Sequence, residues 1–243
     1  MVSHCRPLAA VAVAASIVLS ACASGSRPTL GEPIAPVPPT IALDEELGRF
    51  RDTTEITVID AGVVESVVMV GDSITVGAQL VIEEQLAALG FADVAVEAQE
   101  LKRIGVSFGE NSSGVDIVNA LASADDRDSE RLWVIALGTN DIGQYASTDD
   151  VREQVDAVLD AIPDEAPVVW INTYFSDRPD ETDQVNAAIE EAIRDRGNGV
   201  VGAWDDVAPT DGVLRSDGVH PDADGAVVFA SLVSSTVAGF VRR

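Results

Sequence analysis

From about residue 55 onward, short apolar runs alternate with longer stretches of three- and four-residue periodicity. The apolar runs are Val67-Val68-Met69-Val70, Val94-Ala95-Val96, residues 132–137, residues 168–171 and Val200-Val201-Gly202-Ala203-Trp204. They are mostly β-branched and continuous rather than alternating, the pattern of strands covered on both faces of a parallel sheet. Between them, Ile82, Leu86 and Leu89 share one helical face, with Gly90 as a stop. Val115, Val118, Leu121 and Ala122 form a second stripe after Ser112-Ser113. Val151, Val155, Val158, Leu159 and Ile162 form a third, opened by Asp149-Asp150 and stopped by Pro163. Val185, Ile189 and Ile193 form a fourth, closed by Gly197. Val227, Val228, Leu232, Val233 and Val237 form a fifth, for which Asp222 is a natural cap. Five strands alternating with five helices predict an α/β sandwich around a parallel sheet. In such sheets ligands bind beyond the carboxyl ends of the strands, so the residues at those ends are the candidates for chemistry.

The first residues follow another rule. Residues 8–19 are an unbroken run of apolar and small residues with Ser16 as the only polar member, preceded by Arg6. The run is short for a membrane span and fits the apolar region of an export signal. It ends in Leu19-Ser20-Ala21-Cys22, which resembles the lipobox of bacterial lipoproteins, where the cysteine is lipidated and becomes the mature N-terminus. The segment that follows is rich in Pro, Gly and Ser and has no apolar period, as an extended tether requires. The chain therefore reads as a signal over residues 1–21, a tether over 22–45 anchored through Cys22, and a folded domain over 46–243. The expected location is the outer face of a bacterial membrane, held there by lipid.

Of 243 residues, 47% are hydrophobic, enough for one domain with a substantial core. Fifteen basic residues stand against 41 acidic ones, a net charge of −26. Such a surface repels phosphate backbones and anionic headgroups, which argues against nucleic acid as a partner and against electrostatic adhesion to a membrane. The two cysteines, Cys5 and Cys22, both precede the domain, so neither a disulfide scaffold nor a cysteine metal site is expected.

Three strand ends carry reactive side chains. The first strand runs into Gly71-Asp72-Ser73-Ile74-Thr75. There Gly71 would let the backbone turn and Ser73 would stand at the start of a helix, where N–H groups favour a developing negative charge. Taken alone, such a serine is also an ordinary helix cap, and Thr75 breaks the G-x-S-x-G elbow. The third strand ends in Gly138-Thr139-Asn140-Asp141, where Asn140 can aim an NH₂ into the cleft or simply form a turn. The last loop reads Ser216-Asp217-Gly218-Val219-His220-Pro221. His4 lies in the signal, so His220 is the only histidine left as a base. Asp217, three residues earlier, can fold back onto one ring nitrogen and leave the other free. A nucleophile, a base, an orienting carboxylate and an oxyanion donor are the parts that acyl transfer needs.

Gly71-Asp72-Ser73, Gly138-Thr139-Asn140-Asp141 and Asp217-x-x-His220-Pro221, in this order, resemble three of the four motif blocks of the SGNH (GDSL-type) hydrolases. The likeness spans roughly residues 67–240. Trp170-Ile171-Asn172, Asn186 and Trp204 resemble the SGNH domains associated with cell-envelope acyltransferases. The resemblance implies a flavodoxin-like three-layer α/β/α sandwich with a five-stranded parallel sheet. It further implies Ser73 as nucleophile, His220 as general base, Asp217 as its orienting partner, and the Ser73 N–H and Asn140 as oxyanion donors. No cofactor or metal is implied, and the substrate is an acyl ester, either a small one or an acylated glycan. O-acyl transfer would use the same residues. A catalytically weak envelope binding protein is a further reading.

The second block departs from the family. Its oxyanion glycine should follow the second strand, within Gln99-Glu100-Leu101-Lys102-Arg103-Ile104-Gly105, yet Lys102 stands before Arg103 where glycine is usual. Gly105 is the nearest glycine and the candidate third donor. A separate reading gathers Asp72, Asp141, Asp217 and His220 as a metal site.

Overall fold

The computed structural model describes residues 59–60, 64–124 and 131–242, all within one unit spanning Ala42–Arg243. The expected signal over 1–21, Cys22 and the tether over 22–45 lie outside the described residues.

Five strands form one parallel sheet: β2 (Ser66–Gly71), β3 (Asp93–Ala98), β4 (Arg131–Ala136), β5 (Val168–Ile171) and β6 (Gly199–Gly202), in the spatial order β3-β2-β4-β5-β6. A two-residue parallel pair, β1 (Ile59–Asp60) with β7 (Val241–Arg242), stands apart from it. Helices α1 (Ser73–Ala88) and α6 (Ala223–Phe240) cover one face of the sheet. Helices α2 (Gly114–Ala124), α3 (Thr148–Ala161) and α4 (Pro179–Arg196) cover the other. This is the three-layer α/β/α sandwich expected, with helices on both faces of a five-stranded parallel sheet.

Each face of the sheet feeds its own core. Met69, Val134, Val169 and Val200 point toward α1 and α6, while Val70, Ile135, Trp170 and Val201 point toward α3 and α4. Strand residues of period two thus serve two cores at once, which is why these runs are apolar throughout. Trp133, Trp170 and Trp204 are fully buried, and Trp204 meets Phe229 edge to face with ring centroids 5.0 Å apart. Helix α6 has the length and apolarity of a membrane span, but half of it is buried in the core beneath the sheet.

Helix ends follow the capping chemistry of the sequence. The Asp72 side chain accepts from the Ile74 N–H at 3.0 Å to open α1. Ser147 and Asp150 form a reciprocal capping box at α3. Asp222 accepts from the N–H groups of Asp224 and Gly225 at α6, and Gly197, at φ 81°, ends α4.

Three expectations need revision. Strand β3 is not covered on both faces: Ala95 and Glu97 point to solvent, because β3 is the sheet edge and α2 packs over β2 instead. The last strand stops at Gly202, and Trp204 begins a short helix, α5 (Trp204–Val207). Gly71 has no positive φ, so it does not turn the chain; a Cβ there would overlap the Thr75 side chain. Strand end and helix start therefore interlock through the missing glycine side chain.

Candidate active site

The carboxyl ends of β2, β4 and β6 deliver the three motif loops to one side of the sheet. Ser73 is the first residue of α1, immediately after the Asp72 cap, so the cap and the half-buried hydroxyl facing the cleft belong to neighbouring residues. Its Oγ lies 3.0 Å from His220 Nε2. On the other side of the ring, His220 Nδ1 lies 3.0 Å from Asp217 Oδ2. The other Asp217 oxygen, Oδ1, accepts from the N–H groups of Val219 (3.0 Å) and His220 (2.9 Å). These backbone bonds, foremost that from His220, hold the Asp217 carboxyl down at about 2. Asp217 is therefore an anion at any working pH, and an anion there favours the Nδ1–H tautomer, leaving Nε2 free to accept from Ser73.

The loop bearing Asp217 and His220 is closed on itself. Leu214 and Pro221 bridge in antiparallel fashion, and the Arg215 N–H donates to the His220 carbonyl at 2.8 Å. The Gly218 N–H returns to the Arg215 carbonyl at 3.0 Å, and Gly218 adopts φ 69° at a place where Ser176 leaves no room for a Cβ.

A cleft of about 680 Å³ lies over this array, lined among others by Ser73, Leu101, Asn140, Arg215 and His220. Asn140 sits in a short 3₁₀ turn, Thr139–Asp141. One Nδ2 hydrogen is used on the Lys102 carbonyl at 3.0 Å, which fixes the amide and leaves the second hydrogen for the cleft. Gly105 is not brought to the cleft: it packs against the Gln154 side chain. The residue of the second block on the cleft wall is Leu101. At φ 60° it is the only non-glycine with positive φ among the described residues. A left-handed backbone there is what a glycine would ordinarily supply. Its leucine side chain stands half-exposed at the mouth.

Behind the cleft, two polar clusters hold these loops together. Asp141 is fully buried; its Oδ1 accepts from Arg103 Nε (3.1 Å) and the Tyr145 hydroxyl (3.3 Å), and its Oδ2 from the Ile104 N–H (2.9 Å). Burial raises the Asp141 carboxyl, against the pull of that N–H and of Arg103. Arg103 also lies over the Tyr145 ring, 5.2 Å from its centroid. This pair ties the loop after β3 to the turn after β4, the two segments that carry Leu101 and Asn140. The second cluster joins Asn172, Asn186 and Asp205. Asn172 Nδ2 donates to Asp205 Oδ1 at 2.7 Å, and Asn186 donates to Asp205 Oδ2 (3.2 Å) and the Thr173 carbonyl (2.9 Å). The Thr173 hydroxyl in turn meets that of Thr139 at 2.8 Å. Asn172 and Asn186 thus buttress the turn that carries Asn140 rather than facing the cleft.

Asp72 is buried, and its Oδ2 has no hydrogen-bond partner among the described residues. Burial lifts its carboxyl to about 6, against the Ile74 N–H and with help from the charge of Asp141. Lys102 is buried too, its Nζ reaching Gln99 Oε1 (3.4 Å) and the Ser112 carbonyl (3.2 Å), and burial lowers its pKa. The four residues of the metal reading do not converge. Asp72 caps α1, Asp141 is spent on Arg103 and Ile104, Asp217 on His220, and no group of three or more potential ligands gathers among the described residues.

Residues 69–228 match the profile of the GDSL-like lipase/acylhydrolase family. No curated protein matches the sequence. Among solved structures, TesA superposes with a TM-score of 0.59 at 17% identity, covering 72% of this chain and 99% of that one. The C-terminal catalytic domain of Streptococcus pneumoniae peptidoglycan O-acetyltransferase A superposes at 0.54 and 15% identity, covering 72% and 94%. A carbohydrate acetylesterase from Sinorhizobium meliloti superposes at 0.56 and 14% identity, covering 72% and 99%. These likenesses establish the fold.

Proposed function

The chain belongs to the GDSL-like lipase/acylhydrolase family, and from that premise we propose that it is a serine esterase acting through Ser73, His220 and Asp217. One observation carries the reading: the unbroken line from Ser73 Oγ to His220 Nε2 (3.0 Å) and from His220 Nδ1 to Asp217 Oδ2 (3.0 Å) beneath an open cleft. Ser73 gives its proton to Nε2 as Oγ adds to the ester carbonyl. The oxyanion is received by the Ser73 N–H and the free Asn140 Nδ2 hydrogen. The ring, now protonated at both nitrogens, is stabilised by Asp217 and hands its Nε2 proton to the departing alcohol. Water, deprotonated by the same nitrogen, releases the acid and restores Ser73.

The acyl group in this reading is short, and the substrate is an acetylated or similarly acylated alcohol, including an envelope glycan. Export and lipid attachment at Cys22 belong to the same reading, supported by the apolar run ending at that cysteine. Transfer of the acyl group to a sugar hydroxyl instead of water uses identical steps, and the likeness to a peptidoglycan O-acetyltransferase domain favours testing it. The decisive experiment is turnover of a chromogenic acetyl ester together with labelling by a fluorophosphonate. Ser73→Ala abolishes both if the reading holds, and retained turnover refutes it. Free acid against transferred acyl, measured with a glycan present, separates hydrolysis from transfer.

A further inference from the structure

Arg215 lines the cleft beside His220 and is, among the described residues, the only lysine or arginine on its wall. Its guanidinium has no side-chain partner among the described residues. Three other arginines are engaged, Arg103 with Asp141, Arg152 with Asp156 and Asp195, and Arg196 with the carbonyls of Leu159 and Ala166, whereas Arg194 stands free among the described residues on α4, outside the cleft lining. In a chain of net charge −26, acids to pair with are abundant. A cation left unpaired at the catalytic cleft is therefore available to a ligand. The acids that share the wall, Asp222 and Glu100, form no ion pair with it. Asp222 turns Oδ1 onto the first N–H groups of α6, and Glu100 belongs to the separate loop after β3.

The position of Arg215 says which part of the substrate it meets. The Arg215 N–H is bonded to the His220 carbonyl, so both residues are fixed within one closed loop. The alcohol leaves by taking a proton from His220 Nε2 and must lie against that ring. The acyl carbonyl oxygen lies toward Asn140, on a different loop. The geometry points to Arg215 as a specificity residue that favours esters whose alcohol portion carries an anionic group, such as a carboxylate-bearing sugar. The inference rests on the esterase reading above. The overall charge of the protein repels such a substrate, and Arg215 supplies the local attraction that admits it. Because the guanidinium is solvent-exposed, its effect is modest and screened by salt.

The test compares kcat/KM for 4-acetoxybenzoate and its neutral amide, 4-acetoxybenzamide; the different leaving ability of the two phenols cancels when their ratio is compared between wild type and variant. The wild-type ratio of anionic to neutral ester falls roughly fivefold in Arg215→Gln. It falls further in Arg215→Glu, which also improves a choline ester relative to its uncharged analogue. The gap between the wild-type ratio and the Arg215→Gln ratio narrows as salt rises from about 0.05 to about 0.5 M, because the background repulsion is common to both. Arg194→Gln, which removes an exposed charge on α4, keeps the wild-type ratio and controls for net charge. A ratio that neither Arg215 variant changes, while turnover remains dependent on Ser73, overturns this inference alone. No turnover of either ester by the wild type refutes the esterase reading and this inference with it.

Discussion

Replacing Asp72 with Asn is expected to change how stability depends on pH, and to do so in a defined window. Asp72 caps α1 through Oδ1, and asparagine is an equally good cap, so the bond to the Ile74 N–H survives the change. What is lost is a carboxyl that ionises at about 6 in the folded chain against 3.8 ordinarily. Between those values the folded state holds a proton that the unfolded chain has released, so wild-type stability falls as pH rises from about 4 to about 6. The gap corresponds to about 3 kcal/mol once both states are ionised. The new Nδ2, placed where Oδ2 has no hydrogen-bond partner, costs about 1–2 kcal/mol at every pH if it finds no acceptor. That offset does not alter the slope. Urea unfolding followed by fluorescence of the three buried tryptophans, at intervals from pH 4 to 8, yields the stability difference between variant and wild type. The difference should climb in favour of Asp72→Asn by about 3 kcal/mol and level off above pH 7. A flat difference would refute the burial argument. A falling one would mean that the end of α1 holds Asp72 ionised.

Other expectations follow from the same geometry. Asp217→Asn should lower kcat by on the order of a hundredfold or more, since the ring loses both its tautomer control and its counter-charge; a tenfold loss or less in steady-state kinetics would contradict this role. Asp141→Ala strands Arg103 and frees the Ile104 N–H, and should cost about 3 kcal/mol in thermal or chemical unfolding. Leu101→Gly should leave stability within about 1 kcal/mol of wild type, whereas Leu101→Val, with its branched Cβ at φ 60°, should cost about 1–2 kcal/mol.

Much of this arrangement is legible in the sequence, for a physical reason. Strands buried on two faces admit almost no polar residue, so Ser73, Asn140 and the Asp217–His220 pair stand out at the points where the apolar runs stop. The caps at Asp222 and Gly197 are equally local and equally legible. What escapes is non-local or conformational. Nothing in a run such as Val94-Ala95-Val96 says that β3 is the edge strand, because coverage depends on where α2 lands. Leucine is an apolar letter like any other, and the positive φ of Leu101 has no trace in it. The only available signal was the missing glycine in the second block, which pointed to Gly105 when the cleft position is four residues earlier. Gly71 reads as a hinge but serves as a gap for Thr75. Asn172 and Asn186 enter the sequence reading only as part of a family likeness, and only their bonds to Asp205 and Thr173 reveal them as bracing.

The ten residues from Val213 to Asp222 form a closed loop, braced from outside where the Ser176 N–H donates to the Gly218 carbonyl. Main-chain bonds close it at Val213–Asp222 and Arg215–His220, and it carries the candidate base, its candidate orienting carboxylate and the Arg215 guanidinium together. On the esterase reading, damage to this closure should therefore erase turnover and selectivity in the same stroke.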